Sequence, residues 1–313
     1  MIALDKKLAE FGDVYSAQLM SKYTTLHIGG PVQFLIEVTE TEKLVGLLAF
    51  LVGEGILYHL LGGGSNILWQ DAEFEGVVIK VRSSKSEVCG DTLCVDAGTP
   101  LATAVTTAIK HNLDGLVWAA GVPGTVGGAV RGNAGAMDSD TGKTLKSVDV
   151  WRNGEVITLK PETCGFSYRD SVFKHSSDII LSATYQLVPG DKVAMMKRMA
   201  DFLKQRAGKY PALPSAGSFF KNISFADWKG DITKLPEHFA KAQKVPAGWI
   251  NEQNGLKGYR VGGAMLSKEH GNFIVNVDNA LQADVLAVVD EIQHRAYTNF
   301  GITLEPEVVI VKY

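Results

Sequence analysis

Apolar positions recur along this chain with two periods, close to 2 and close to 3.6, and their alternation predicts a mixed α and β protein. Residues 23–38, YTTLHIGGPVQFLIEV, alternate and end in a β-branched run, which reads as strand, Gly-Gly turn and strand. Thr39-x-x-Glu42 makes a capping-box pattern ahead of Leu44, Val45, Leu47, Leu48 and Leu51, which fall at helical spacing until Gly53 and Gly55 end the helix. A short strand, 57–61, feeds into Gly62-Gly63-Gly64, and strands are expected at 76–81 and 93–96. Thr99 and Pro100 read as a cap and a first-turn proline for a helix over 101–111, with Leu101, Val105 and Ile109 on its apolar face. Residues 148–151 and 156–159 form a hairpin about Asn153-Gly154, a strong turn signal. A strand at 179–187 precedes a helix at 191–205 with Val193, Met196, Met199 and Leu203 on one side. Gly208-Lys209-Tyr210-Pro211-Ala212-Leu213-Pro214 reads as a linker and domain boundary. Beyond it come a strand at 218–221, a polar insert reaching Val245, a short helix from Ala247 and a strand at 272–277. The last helix, 282–299, buries Val285, Val288, Val289 and Ile292, and a strand at 302–311 carries Glu305 and Glu307.

Composition narrows the class. The 313 residues suit two or three domains at roughly 100–200 residues each. Net charge is −3 with Lys and Arg dispersed, so no basic face points to nucleic acid. The opening MIALDKKLAEFGDV lacks the apolar core of a signal peptide, and no run of about 18 apolar residues exists to span a membrane, so a cytoplasmic protein is expected. Three cysteines, Cys89, Cys94 and Cys164, fit a reduced compartment; Cys89 and Cys94 could pair across a hairpin, but two ordinary thiols are the commoner outcome.

Two glycine-rich stretches stand apart from this pattern: 121–136, GVPGTVGGAVRGNAGA, and 61–66, LGGGSN. Only Arg131 is charged in the first, and neither has enough large side chains to build a core. Glycine admits positive φ and has no Cβ, so such runs bring bare N–H groups close to a flat or anionic ligand. Two of them suggest a large phosphate-bearing cofactor held from two sides; a pair of tight turns is the alternative. Neither matches G-x-G-x-x-G or G-x-x-x-x-G-K-[ST], which disfavours a Rossmann domain and a P-loop.

Four further groups could carry chemistry. Phe166-Ser167-Tyr168-Arg169-Asp170-Ser171 sets an arginine between an aromatic and an acid. Ser215-Ala216-Gly217-Ser218-Phe219-Phe220-Lys221-Asn222 offers hydroxyls, a cation and an amide. Gly262-Gly263 leads on to His270, and Glu305-Pro306-Glu307 sets two carboxylates at i and i+2 on one strand face. Each has a plain counterpart: an ion pair of Arg169 with Asp170, an ordinary strand serine, a solvated lysine, a turn histidine, an edge strand marked by proline. No Cys/His cluster has zinc spacing and no G-x-S-x-G is present. From the residues alone the chain is a cytosolic α/β enzyme with a phosphate-rich cofactor, its reaction unnamed.

Taken as an ordered set, YTTLHIGG at 23, LGGGSNIL at 61, GVPGTVGGAVRGNAGA at 121, FSYRDSVFK at 166, SAGSFFKN at 215, AGWINEQNGLKGYRVGGA at 247 and GITLEPEV at 301 closely resemble the UDP-N-acetylenolpyruvoylglucosamine reductase (MurB) family over nearly the whole chain. The resemblance implies an α+β fold: a two-part FAD-binding module of the vanillyl-alcohol-oxidase (PCMH) type, over 1–70 and 71–207, a C-terminal α/β substrate-binding domain over 208–300, and a C-terminal strand, 301–313, carrying a catalytic glutamate. It implies noncovalent FAD, NADPH as co-substrate, and reduction of the enolpyruvyl ether of UDP-N-acetylglucosamine to UDP-N-acetylmuramate, a step towards peptidoglycan. Hydride passes from flavin N5 to C3 and a proton from Ser218 to C2.

The same resemblance assigns Arg169, Ser218 and Glu307 to catalysis, a cation and an acid aimed at the charge that develops. It assigns Gly62, Gly63, Gly64, Ser65, Asn66, Gly121, Pro123, Gly124, Gly127, Gly128, Asn133 and Gly135 to FAD, and Tyr168, Lys221, Asn222, Lys257 and His270 to the substrate. No metal, membrane or nucleic-acid partner is implied, and a monomer is expected because no long apolar stripe is left after the helices are assigned. The chain departs from the family pattern at Ile223, where proline is usual, in a longer insert at 224–244, and in lacking a tyrosine-bearing loop between Thr163 and Ala183 to cover the UDP group. Two rivals stand beside this reading, an FAD-linked oxidase and a flavin- or sugar-nucleotide-binding protein without turnover; the serine, glutamate and lysine as a set argue against the first.

Overall fold

β-Branched runs build the sheets and glycine turns set their order. The computed structural model describes residues 4–313. They fall into two compact units, the first formed by the chain up to Gln18, Val32–Gly63 and Glu75–Ala207, the second by Leu19–Pro31, Gly64–Phe74 and Gly208–Tyr313. The class is α+β.

The first unit holds two sheets. One has the strand order Asp13–Leu19, Pro31–Val38, Phe74–Val81, Tyr58–Leu61, and the last two run parallel. Between those two parallel strands the chain runs through residues 62–73; the helix Thr41–Gly53, which precedes Tyr58–Leu61, buries Leu44, Leu47, Leu48 and Leu51 against Ile36, Val77 and Ile79. The other sheet is antiparallel, in the order Glu155–Leu159, Leu145–Arg152, Ile179–Gln186, Thr92–Asp96, Ser86–Cys89. Its central strand is buried at five successive positions, which a strand covered on both faces requires. Asn153 and Gly154 both take positive φ, and Arg152 faces Glu155 across the two-residue loop. The helix Leu101–Lys110 buries Leu101, Ala104, Val105, Ala108 and Ile109, an i, i+3, i+4, i+7, i+8 stripe.

The second unit is built on the sheet Ser215–Ser218, Phe273–Asn276, Ala264–Leu266, Arg260–Val261. The helix Gln282–Phe300 lays Val285, Val288, Val289, Ile292 and Ala296 on its core and stops at Gly301, whose φ of 66° is the left-handed cap conformation. Val309–Ile310 pairs in parallel with Ile67–Leu68. The Gly262-Gly263 turn joins Arg260–Val261 to Ala264–Leu266, and Asp284 accepts the Gly263 N–H.

Several local expectations fail for local reasons. The helix at 41 starts two residues after Thr39, so Glu42 is its second residue and the expected capping box does not form. Pro100 holds the cap position of the next helix, and the Thr99 hydroxyl is buried without a hydrogen-bond partner. Residues 23–30 form a turn and an extended loop instead of a first strand. Helix Lys192–Arg206 buries Met195, with Met199 and Phe202 beside it, and leaves Val193, Met196 and Leu203 exposed. Two overlapping apolar stripes run along that helix, and the one facing the core is offset from the one expected. Cys89 lies opposite Thr92 and Cys94 opposite Glu87, so the hairpin register does not pair the two thiols, and all three cysteines are free.

Candidate active site

In the first unit the two glycine stretches meet backbone to backbone. A Cβ on Gly63 would lie 2.8 Å from Gly124 Cα, and one on Gly62 would lie 2.7 Å from Thr125 Oγ1. Only glycine allows this approach. Gly63, Pro123 and Gly128 remain exposed on the joined loops, a surface of backbone and small side chains that a flat ligand can lie against. Gly121 and Gly124 take φ of 74° and 117°, and Thr125 caps the short helix Val126–Arg131 through the Gly128 N–H. Gly127 is small for another reason: a Cβ there would be 2.9 Å from that of Ala97.

Lys80, Arg131 and His59 accompany these loops, and of them the sequence pattern singled out only Arg131. Lys80 donates to the Gly62 carbonyl at 2.7 Å, and burial pulls its pKa down. Burial also lowers Arg131. His59, on the strand that leads into Gly62, is pushed down to about 4 by burial, with the Arg131 charge adding to the effect. Unfolded histidine titrates near 6.5. Below that pH the unfolded chain binds a proton that folded His59 refuses, so stability should fall between pH 6.5 and 4 and then level off. The expected loss is up to about 3 kcal/mol. Thermal melts across this range should show a shallower slope in His59→Leu; an unchanged slope would assign the acid sensitivity to other groups.

Arg169 sits in a tight turn in which Ser167 and Asp170 exchange backbone hydrogen bonds. Its φ is 55°, uncommon for a residue with a Cβ and a mark of a site where position matters more than local comfort. Its Nη2 donates to the Gly135 carbonyl at 2.8 Å, and its guanidinium lies 5.4 Å from the centre of the exposed Tyr168 ring. Asn133 is 4% exposed; its amide donates to the Ser167 carbonyl and accepts from the Gly142 N–H. It thus ties the glycine stretch to the arginine turn.

The second unit holds the other motifs. Gly64 takes a φ of 66°, its carbonyl accepts from the Thr25 N–H, and Ser65 is half-buried. Asn66 donates to the Glu307 carbonyl at 3.1 Å. Ser218 ends a sheet strand opposite Phe273. The expected strand over 218–221 is displaced: pairing in the sheet stops at Ser218, and residues 219–221 leave it to lie along the C-terminal segment. Glu307 N–H donates to the Phe219 carbonyl, and Lys221 N–H to that of Glu305. The expected strand at 302–311 is likewise mostly unladdered, with Phe220 bridging Pro306 and only Val309–Ile310 in a sheet. Asn272, buried, binds the backbone of Phe220 at both N–H and carbonyl and accepts the Phe219 N–H with its own carbonyl.

Ser218, Asn222 and His270 line one cavity of about 280 Å³, together with Trp249, Glu252 and Glu269. Asn222 also accepts the Ala247 N–H, holding the start of helix Ala247–Gln253. The Asn272 N–H donates to His270 Nδ1 at 3.1 Å, and burial lowers the His270 pKa, with Glu252 opposing. Accepting that N–H at Nδ1 leaves Nε2 as the nitrogen of the neutral ring that can donate a hydrogen bond. Lys221 pairs with Glu305 at 2.6 Å and the exposed Lys257 with Glu252 at 3.2 Å. Sequence reasoning missed Asn272, Lys80, Trp249 and Glu252; the buried asparagine is the only one with a usable signal, since an amide amid apolar strand residues needs partners.

Among the described residues no three His, Cys, Asp or Glu side chains gather as a metal site, and no helix is long and apolar enough to cross a membrane. Residues 32–160 match the FAD binding domain family, and residues 208–311 match the UDP-N-acetylenolpyruvoylglucosamine reductase, C-terminal domain. The chain is 36% identical over 296 residues to the UDP-N-acetylenolpyruvoylglucosamine reductase of Carboxydothermus hydrogenoformans, covering 93% of this chain and 92% of that one. It is 34% identical over 309 residues to that of Caldanaerobacter subterraneus subsp. tengcongensis, covering 98% and 96%. The crystal structure of UDP-N-acetylenolpyruvylglucosamine reductase (MurB) from Thermus caldophilus matches with a TM-score of 0.77 and 34% identity, over 96% of this chain and 100% of that one. The chain belongs to the UDP-N-acetylenolpyruvoylglucosamine reductase family.

Proposed function

We propose that this chain is an FAD-containing, NADPH-dependent UDP-N-acetylmuramate dehydrogenase that reduces the enolpyruvyl ether of UDP-N-acetylglucosamine in peptidoglycan precursor synthesis. The observation that carries this reading is the crossing of two segments in the second unit: the carbonyl next after Ser218 receives the Glu307 N–H, so the acid and the serine are held by one backbone contact. When bound and reduced, FAD supplies the hydride. The joined loops of Gly62 and Gly63 with Gly121, Pro123, Gly124, Gly127 and Gly128 fit a flat, phosphate-bearing group, as their close approach leaves bare backbone exposed. Gly64, Ser65, Asn66, Asn133 and Gly135 are assigned to the same cofactor, and Asn133 also ties the glycine stretch to the Arg169 turn.

The chain's own residues then meet the charge demand of the reaction. Arg169 offsets negative charge that grows on the substrate carboxylate. Ser218 gives its hydroxyl proton to C2, and Glu307 supports that transfer. Tyr168, Lys221, Asn222, Lys257 and His270 hold the substrate, His270 as a neutral donor. The division into 1–70, 71–207, 208–300 and 301–313 is the proposed assignment of these roles to domains. The proposed setting is cytoplasmic and monomeric, without nucleic-acid or membrane partners. Purified protein should be yellow and should oxidise NADPH beyond one equivalent of flavin only when the enolpyruvyl substrate is present. A colourless protein, or NADPH oxidation indifferent to that substrate, would remove this function.

A further inference from the structure

The tight turn that carries Arg169 sets an acid directly beside it, Asp170. Burial acts to raise the Asp170 carboxyl, but hydrogen bonds from the His175 ring and the Ser171 N–H outweigh it and hold the group below the usual carboxylate range, so Asp170 is charged at neutral pH. An aspartate next in sequence is a ready counter-ion for an arginine. The structure gives this carboxylate another partner. His175 Nε2 lies 2.9 Å from its Oδ1 and 3.1 Å from its Oδ2, and Oδ1 also accepts the Ser171 N–H at 2.9 Å. An ionised carboxylate only accepts, so Nε2 carries the proton and donates. A single helical turn, Val172–Lys174, brings His175 back to the acid five residues earlier. That turn is anchored where it starts: the Val172 N–H donates to the Cys164 carbonyl, and the Ser171 hydroxyl to that of Arg131 at 2.6 Å. Lys174 donates to the Arg169 carbonyl at 2.7 Å. His175, Lys174 and Arg131 are the basic groups whose charge acts with that of Asp170.

We propose that His175 is a positioning residue for Arg169: by holding the Asp170 carboxylate it keeps that charge off the neighbouring guanidinium, which then acts on the negative charge of the substrate. The proposal rests on the functional reading above. Three observations separate this role from that of a brace for the fold. The His175 side chain is 67% exposed, and an ion pair so placed adds little stability. The turn is fastened without it: Ser167 and Asp170 exchange backbone hydrogen bonds, Asn133 holds the Ser167 carbonyl, and the Phe166 and Phe173 rings pack with centres 6.4 Å apart. The guanidinium is aimed by its bond to the Gly135 carbonyl, so what His175 adds is control of the charge beside it. A carboxylate that closes on a guanidinium forms a charge-assisted pair and offsets the field that a catalytic cation directs at developing negative charge.

Stopped-flow flavin absorbance of the FAD-loaded enzyme reads the effect in each half-reaction. In His175→Ala, oxidation of the reduced flavin by the enolpyruvyl substrate should slow about tenfold, while reduction by NADPH stays within about threefold and Tm close to wild type. His175→Gln keeps an N–H donor and should lose less. Asp170→Asn should stay within about threefold of wild type, and so should the double variant His175→Ala with Asp170→Asn, because the rival charge is gone. A brace predicts the opposite, a double variant as slow as His175→Ala. That result would overturn the proposal, as would an unchanged rate in His175→Ala or equal slowing of both half-reactions. Crystals of His175→Ala give a reading independent of turnover. The Asp170 carboxylate should lie within hydrogen-bond distance of the Arg169 guanidinium, and a carboxylate that stays clear of it would sink the idea. Wild-type protein that does not reduce the enolpyruvyl ether would remove the functional reading, and the crystal result would still decide where the Asp170 charge goes.

Discussion

Turnover of the enolpyruvyl substrate should fall by roughly 10²–10⁴-fold in Ser218→Ala, the loss typical of a missing general acid, while the NADPH half-reaction stays within about a few-fold of wild type. The substitution removes one oxygen from the end of a sheet strand. The chain that follows is held by other groups: Asn272 binds Phe219 and Phe220, and the C-terminal segment binds Phe219 and Lys221. The backbone should therefore keep its course. A serine is a weak acid, so its proton moves only towards a strongly basic carbon, and the contact matters in the transition state more than in the bound substrate. KM should change little for that reason. Stopped-flow absorbance of the flavin follows each half-reaction separately. Equal slowing of both would point to damaged cofactor binding, and an unimpaired substrate half-reaction would take Ser218 out of the mechanism.

The second large effect is expected at Glu307. Glu307→Gln should lower kcat by roughly 10²–10³-fold, the scale of losing one group aimed at developing charge. Glu305→Gln should cost no more than about fivefold, seen mainly in KM. The two carboxylates, two residues apart, have different surroundings. Glu307 is half-buried, with its N–H given to Phe219 and its carbonyl bound by Asn66, so its Cα is fixed from both sides. Glu305 is exposed and bound to the Lys221 ammonium. An exposed ion pair contributes little to stability, so loss of the Glu305 charge should act by freeing Lys221 and not by disturbing the segment. Comparable loss of kcat in the two variants would show that the wrong carboxylate has been assigned.

Where burial follows a strict local period, the chain already declares its fold. The helix Gln282–Phe300 was legible because Val285, Val288, Val289 and Ile292 allow only one buried face. The hairpin at Asn153-Gly154 was legible because few residues accept positive φ twice in succession. The motifs that mark the family could be read in order, since their glycine runs and their hydroxyl- and charge-bearing residues follow one another along the sequence. Helix Lys192–Arg206 shows the limit. It carries two apolar stripes, and only the neighbouring core decided that Met195 turns inward and Val193 outward.

The same limit governs the site. By itself the sequence determined the class, the glycine loops, and the identity of Arg169, Ser218 and Glu307 as candidates. Tertiary structure alone decided what holds them: Asn133 joining the glycine stretch to the Arg169 turn, Asn272 gripping Phe219 and Phe220, Lys80 on the Gly62 carbonyl, and His175 on the acid beside Arg169. A periodic stripe records a contact with everything on one side of an element, so it is written in spacing. A single hydrogen bond or ring contact between distant residues has no period, and its partner is chosen only when the chain has folded.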